Sequence, residues 1–208
     1  QPIQPQNHCL CNLCISELPW LKTQCQRCAT PLNHNKLCPD CQQNPPPYRR
    51  CIAAFEYQKG AIDKLILDIK TNPHSPEATQ LSNLLSDVIS LAYQDSAMPT
   101  IMIPVPLHWR KLLMRGFNQS TNIASSLSRK FNNTVILDNT CLRRASSSPQ
   151  HLKSRSERLR GMRNAFRMRN NIDYEPDTKA NRTNNPIRGK SVAIVDDVVT
   201  SGATAGSL

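Results

Sequence analysis

Acids are scarce in this chain, long apolar runs are absent, and the apolar fraction is low. There are 15 Asp+Glu against 26 Lys+Arg, a net charge of +11 over 208 residues. No run approaches the roughly 18 apolar residues of a membrane span. No basic-then-apolar leader with a small-residue cleavage site opens the chain, so secretion is not indicated. The apolar share of 38% still allows a core, which argues against full disorder. The length suits one ordinary domain plus a small one. Residue 1 is Gln, and residues 200–208 read as a loop opening into a helix that does not arrive. The expectation is a piece of a longer chain, missing sequence at both ends.

Cysteine, by contrast, is plentiful and unevenly placed. Eight of the 9 cysteines lie between Cys9 and Cys51, and Cys141 stands apart. Three pairs are spaced Cys-x-x-Cys: Cys11/Cys14, Cys25/Cys28 and Cys38/Cys41. Two thiolates three apart on a tight turn face one ion, which suits tetrahedral zinc better than a secreted disulfide framework. Nine residues separate Cys28 from Cys38, a spacer short enough for a zinc ribbon. Cys25, Cys28, Cys38 and Cys41 are therefore the expected zinc ligands. Scattered buried or redox cysteines are the plainer alternative. Cys11 and Cys14 form half of a second site, which Cys9 and a histidine such as His8 or His34 would have to complete. A closed four-sulfur site leaves no position for water, so the metal's role is structural: it supplies folding free energy that a short Pro-rich segment cannot find in a core. The five scattered histidines, His8, His34, His74, His108 and His151, read as surface or packing residues.

Asn44-Pro45-Pro46-Pro47 reads as a stiff linker. It divides the chain into a zinc module over 1–44, a linker over 45–49 and a larger domain over 50–208. The patterning then predicts a strand over 51–57 and a helix over 61–70. Ser75-Pro76-Glu77 starts a second helix, with Leu81, Leu84, Leu85, Val88, Ile89 and Ala92 on its inner face. A buried strand over 100–105, a helix over 116–130 with Phe117, Ile123, Ala124, Leu127 and Phe131 inward, and a strand over 134–137 follow. Residues 170–190 read as a polar loop and 191–195 as the last strand. Alternating strands and helices predict a mostly parallel α/β sheet.

The sharpest motif runs from Val192 to Thr204. Four apolar residues make a buried strand, and Asp196 and Asp197 sit at its carboxyl end, where open α/β sheets bind ligands. Thr200-Ser201-Gly202-Ala203-Thr204 follows, rich in hydroxyls, with Gly202 letting the backbone wrap closely. Its N–H groups and the start of a following helix would cradle a phosphate. Acids for sugar hydroxyls beside a phosphate nest describe a site for a ribose 5-phosphate. Two decoys fail. The strand and acids resemble a Walker B element, and Gly189-Lys190-Ser191 imitates the end of a Walker A. But Asn184 stands where that loop needs Gly, and Gly-Lys-Ser precedes the strand.

The segment from Val192 to Thr204 resembles the phosphoribosyl pyrophosphate (PRPP) motif of type I phosphoribosyltransferases. Ile103-Pro104-Val105-Pro106-Leu107-His108, followed by Arg115-Gly116-Phe117-Asn118-Gln119, resembles the signature of the ComF family. So does Pro149-Gln150 leading through Arg158 to Ala165-Phe166. Cys-x-x-Cys pairs ahead of Pro45-Pro46-Pro47-Tyr48 complete the family's order. The chain departs from it in three ways. One further upstream pair is lacking, Gly161 stands where the family usually has Asn, and the final helix and strand are lacking. The resemblance implies a phosphoribosyltransferase-like sheet behind a zinc ribbon, a cytoplasmic bacterial protein, and a link to competence and DNA uptake. It implies pentosyl transfer: PRPP loses pyrophosphate through a cation-like transition state, with Mg²⁺ neutralising the leaving group. Asp196 and Asp197 would hold the ribose hydroxyls. Thr200, Ser201, Gly202, Ala203 and Thr204 would bind the 5-phosphate. Pro104 and Val105 stand in the pyrophosphate loop, and Arg115 would reach that pyrophosphate unless it serves only a surface salt bridge. The acceptor stays unnamed.

Charge offers a rival reading. Between Trp109 and Arg169 there are 14 Lys+Arg and 2 acids, Asp138 and Glu157, a balance of +12 that leaves −1 for the rest. Arg155, Arg158, Arg160, Arg163, Arg167 and Arg169 crowd one stretch. A basic loop over a polyanionic substrate explains this, and so does a single-stranded DNA groove in which Trp109, Phe117 and Phe166 stack bases. For Phe117 and Phe166 the core is the better assignment. A non-catalytic DNA-handling module that kept the transferase fold is thus the alternative. An intact acid pair favours retained PRPP binding.

Overall fold

The computed structural model describes residues 10–33, 36–57, 60–131, 134–136, 141–143, 166–168 and 187–199. Two short helices, α1 (Asn12–Ser16) and α2 (Pro39–Gln43), lie in the cysteine-rich segment. The larger part holds α3 (Ala61–Thr71), α4 (Pro76–Ala92), β1 (Ile101–Pro104), α5 (Trp109–Arg115), α6 (Gln119–Lys130) and β2 (Val135–Ile136), then β3 (Cys141–Arg143), β4 (Phe166–Met168) and β5 (Val192–Val195).

The sheet is parallel, in the order β2-β1-β5. Ile101, Met102, Ile103 and Pro104 pair with Val192, Ala193, Ile194 and Val195 in turn. The ladder continues past both ends: Thr100 N–H donates to Ser191 C=O at 3.2 Å and Val105 N–H to Val195 C=O at 2.9 Å. All four residues of β1 are buried, as a strand covered on both faces requires. Met102, Ala193 and Val195 meet Ile123, Ala124 and Leu127 of α6 on one face. Ile101, Ile103 and Val192 meet Cys141 and Ile187 on the other. β3 and β4 form a separate antiparallel ribbon, which the sequence pattern did not announce.

The long helices form as their caps direct. Ser75 Oγ accepts the Ala78 N–H at 3.3 Å, with Pro76 at the first position. Leu81 and Leu84 turn toward α3, and Leu85 and Ile89 toward the α6 side. Ala92, expected inside, is exposed. The helix expected over 116–130 is α6, which starts at Gln119, and a separate helix, α5, precedes it. Gly116, at φ +77°, ends α5 in the left-handed conformation, and Asn118 caps α6, its Oδ1 accepting the Ser120 N–H at 3.1 Å.

The strand expected over 51–57 does not join the sheet. It makes one antiparallel bridge, Phe55 with Trp20, backed by Leu21 N–H to Ala54 C=O at 2.9 Å and Glu56 N–H to Pro19 C=O at 2.8 Å. The Trp20 and Phe55 rings lie 4.6 Å apart. This contact carries the amino-terminal segment onto α3, where Leu18 joins Ile62, Leu65, Ile66 and Ile69 in one core, with Trp20, Phe55 and Val198 packed against it. An 11-residue helix is marginal alone, so this packing is what holds α3.

The proline segment is fastened at both ends. Arg27 donates to Pro46 C=O at 2.9 Å and to Tyr48 C=O at 3.2 Å. Arg50 donates to Ala92 C=O at 2.6 Å, at the carboxyl end of α4, and lies over the Tyr93 ring at 4.7 Å.

Candidate functional site

Two groups of chemistry-bearing side chains stand out. The first is the cysteine cluster. The Sγ atoms of Cys25, Cys28, Cys38 and Cys41 all lie within 4.8 Å of one another. Tetrahedral zinc with Zn–S bonds of ~2.3 Å needs sulfurs about 3.8 Å apart, and Cys28 and Cys38 already stand at 3.6 Å. Cys25 and Cys28 sit on a tight knuckle: Cys25 N–H donates to Thr30 C=O at 2.8 Å and Ala29 N–H to Cys25 C=O at 2.9 Å. Ala29 adopts φ +61°, a strained choice for a residue with a Cβ, held by the closed turn. Cys38 caps α2, so that its Sγ faces the Cys41 N–H at 3.4 Å, while Cys38 N–H points at Cys25 Sγ, also at 3.4 Å. Burial pushes the Cys25 thiol up, but N–H donors from Cys38, Cys28 and Arg27 outweigh it and hold the group at about 6. Burial pushes Cys38 and Cys41 up. Four such thiols ionise together only around a cation, so the donor set fits a closed structural metal site.

Cys11 and Cys14 are placed differently. Cys11 caps α1, its Sγ 3.4 Å from Cys14 Sγ, and Cys14 is exposed. Among the described residues, no third ligand joins them. Cys9, His8 and His34 lie outside the described residues.

The second group is the acid pair. Asp196 and Asp197 follow the last residue of β5, where the chain leaves the carboxyl end of the sheet. Asp196 Oδ1 accepts the Asp197 N–H at 2.9 Å and the Ser120 hydroxyl at 3.3 Å. Asp197 Oδ1 accepts the Gln119 side-chain amide at 3.4 Å, and Oδ2 pairs with Lys70 Nζ at 2.8 Å. Burial, and then the neighbouring Asp197 charge, push the Asp196 carboxyl well above its usual range. Burial also pushes on Asp197, but a hydrogen bond from Asp196, the Lys70 ammonium and the Gln119 amide outweigh it and hold that carboxyl low. The surroundings of the pair are therefore unequal: those of Asp196 favour its neutral form and those of Asp197 its charged form.

Neighbouring elements build the rim. Asn118 donates to Val105 C=O at 3.0 Å, tying the start of α6 to the loop after β1. Arg115 donates to Gln119 Oε1 at 3.2 Å, and so reaches Asp197 through one side chain. Among the described residues, its partner is this amide, which places it on the side of the acids. His108 is buried and caps α5, its Nδ1 accepting the Arg110 N–H at 3.4 Å, which makes it a packing residue. It also bridges to Arg143. Burial lowers the Lys111 ammonium, and the charges of Arg143, Arg115 and Lys70 lower it further, so four cations gather near two acids. Trp109 is 57% exposed with the Arg110 guanidinium over its ring at 5.2 Å, whereas Phe166 is buried beneath Arg143.

No family model matches the sequence, and no solved structure matches it. Curated relatives do. The chain is 32% identical over 202 residues to the DNA utilization protein YhgH of Shigella flexneri, covering 96% of this chain and 82% of that one. YhgH of Escherichia coli (strain K12) is 31% identical over 202 residues, with the same 96% and 82% covered. Competence protein F of Haemophilus influenzae is 25% identical over 212 residues, again covering 96% and 82%. The chain belongs to the ComF-related competence family.

Of the ComF-like motifs, the structure brings Pro104, Val105, Arg115, Gln119 and the acid pair to one end of the sheet. Thr200, Ser201, Gly202, Ala203 and Thr204 lie outside the described residues, as does nearly all of the basic stretch 155–169. Lys70, Lys111, Ser120 and Arg143 were not singled out from sequence. Of these four, only Ser120 had a signal, through its place directly after the Arg115–Gln119 motif.

The divided acid pair has a pH signature. A carboxyl whose folded pKa is raised contributes stability below its unfolded value and loses it as the pH rises through the raised one. Asp196→Asn removes that loss. Its urea midpoint should exceed the parent's at about pH 8, and the difference should shrink toward about pH 4. A difference independent of pH would show that Asp196 titrates normally.

Proposed function

We propose that this chain is a PRPP-binding, phosphoribosyltransferase-like protein that serves DNA utilisation, as its relatives' names suggest. The observation that carries the reading is the acid pair at the carboxyl end of a parallel strand, flanked by the Pro104–Val105 loop and the first turn of α6. In this reading Asp197 accepts from a ribose hydroxyl, and Asp196, holding a proton, donates to or accepts from its neighbour. Thr200, Ser201, Gly202, Ala203 and Thr204 take the 5-phosphate, and Arg115 faces the diphosphate. Mg²⁺ would be held near Asp196 and Asp197 and would supply positive charge to offset the pyrophosphate. Among the described residues the cysteines alone form a cluster of three or more metal-binding side chains. The four-cysteine site takes zinc and has a structural role. The chain thereby divides into a zinc module over 1–44, a proline linker over 45–49 and a transferase-like domain over 50–208.

A second reading has its own observation. Trp109, exposed and stacked by Arg110, sits on a helix that carries Lys111 and Arg115 and no acid. Aromatic faces next to cations suit single-stranded nucleic acid.

Three measurements bear on these readings. Elemental analysis of anaerobically purified protein should find zinc, and Cys41→Ser should lose it; metal-free protein with these thiols in disulfides would end the zinc assignment. Changing Asp196 and Asp197 together to Asn should weaken calorimetric PRPP–Mg²⁺ binding by about ten- to a hundredfold, since each hydrogen bond to a charged acceptor contributes roughly 1.5–3 kcal/mol. Unchanged binding, or none in the folded parent, would remove the ribose phosphate reading. Oligo-dT affinity should fall steeply with salt and with reversal of Arg158 and Arg163; indifference to both would leave the basic stretch as a substrate loop.

A further inference from the structure

The Lys70–Asp197 ion pair poses a problem for any ligand of the acid pair. Asp197 must offer an oxygen to a sugar hydroxyl, yet Oδ2 takes Lys70 Nζ at 2.8 Å, Oδ1 takes the Gln119 amide, and burial leaves a further donor little access to the remaining lone pairs. The carboxylate side chain is 9% exposed and the lysine side chain 28%. Lys70 is not a loose surface cation that happens to fall there. It follows Ile69, which is 1% exposed, at the end of a helix whose buried face is locked by Leu18, Trp20, Phe55 and Val198. Val198 is the residue after Asp197, so one packed cluster fixes both partners.

A neutral hydroxyl cannot take the place of an ammonium on a buried carboxylate at no cost. It would leave Lys70 unpaired beside Arg115, Lys111 and Arg143, which already repel one another. A ligand that brings its own negative charge within reach of Lys70 removes that cost. The ammonium then passes from the carboxylate to the ligand, and the freed Oδ2 accepts from the sugar.

We propose that Lys70 is an exchangeable counter-ion that makes the site select a pentose bearing a diphosphate over a pentose monophosphate. This rests on the ribose phosphate reading and names the residue that sets its specificity. Lys70 acts as a positioning residue for Asp197 before the ligand enters and as a diphosphate contact afterwards.

The test compares PRPP–Mg²⁺ with ribose 5-phosphate by calorimetry on the zinc-loaded full-length protein. The parent should prefer PRPP. Lys70→Met should weaken PRPP at least tenfold and leave ribose 5-phosphate unchanged or tighter, because Asp197 is then unmasked. Lys70→Arg, which keeps the charge, should retain the preference within a few fold and guards against a folding defect. A purely structural lysine would move both ligands together; that result, or an unchanged ratio in Lys70→Met, overturns the proposal while leaving the site reading in place. A parent that binds neither ligand overturns both.

Discussion

The packing of α3 against the amino-terminal segment is the contact on which the rest of the site depends. Ile62, Leu65, Ile66 and Ile69 find their cover in Leu18, Trp20, Phe55 and Leu81, drawn from both sides of the proline segment. Remove that cover and the helix has too few residues to persist alone. With it in place, Lys70 is delivered to Asp197 and Val198 is pinned directly after the acids. The cysteine-rich segment thus has a task beyond its own fold: through Leu18 and Trp20 it covers the helix that carries Lys70.

Electrostatics then makes the acid end asymmetric. The two carboxyls are neighbours in sequence but unequal in surroundings. Asp197 has an ammonium and an amide donor, whereas Asp196 has a hydroxyl, a backbone N–H and a charged neighbour. The rim adds Arg115, Lys111 and Arg143; burial, and then the charges of Arg143, Arg115 and Lys70, lower the Lys111 ammonium. The acid end of the sheet thus sets two buried carboxyls against a basic rim.

Legibility in the sequence followed the range of the interactions involved. The four-cysteine cluster was readable because its geometry is local: two Cys-x-x-Cys turns across a nine-residue spacer bring the sulfurs together. The start of α4 was readable because Ser75, Pro76 and Glu77 act within one turn. The acid pair was readable from its place at a strand end. Lys70 was not, because nothing near it in sequence says which way α3 will lie. α5 was missed because its apolar residues Leu112, Leu113 and Met114 are exposed, so periodicity carried no burial signal. Residues 51–57 read as a sheet strand from their apolar run but find their partner in Trp20, a pairing that depends on how the cysteine-rich segment docks.

The proline segment has a mechanical consequence. Prolines lack an N–H and offer only carbonyls, and Arg27, lodged inside the Cys25–Cys28 knuckle, takes two carbonyls of this stretch. Arg50 fastens the far end to the last turn of α4. The cysteine knuckle and the end of α4 are thus tied to neighbouring points of one short stretch, Pro46 to Arg50, so a shift of either anchor is felt by the other within a few residues.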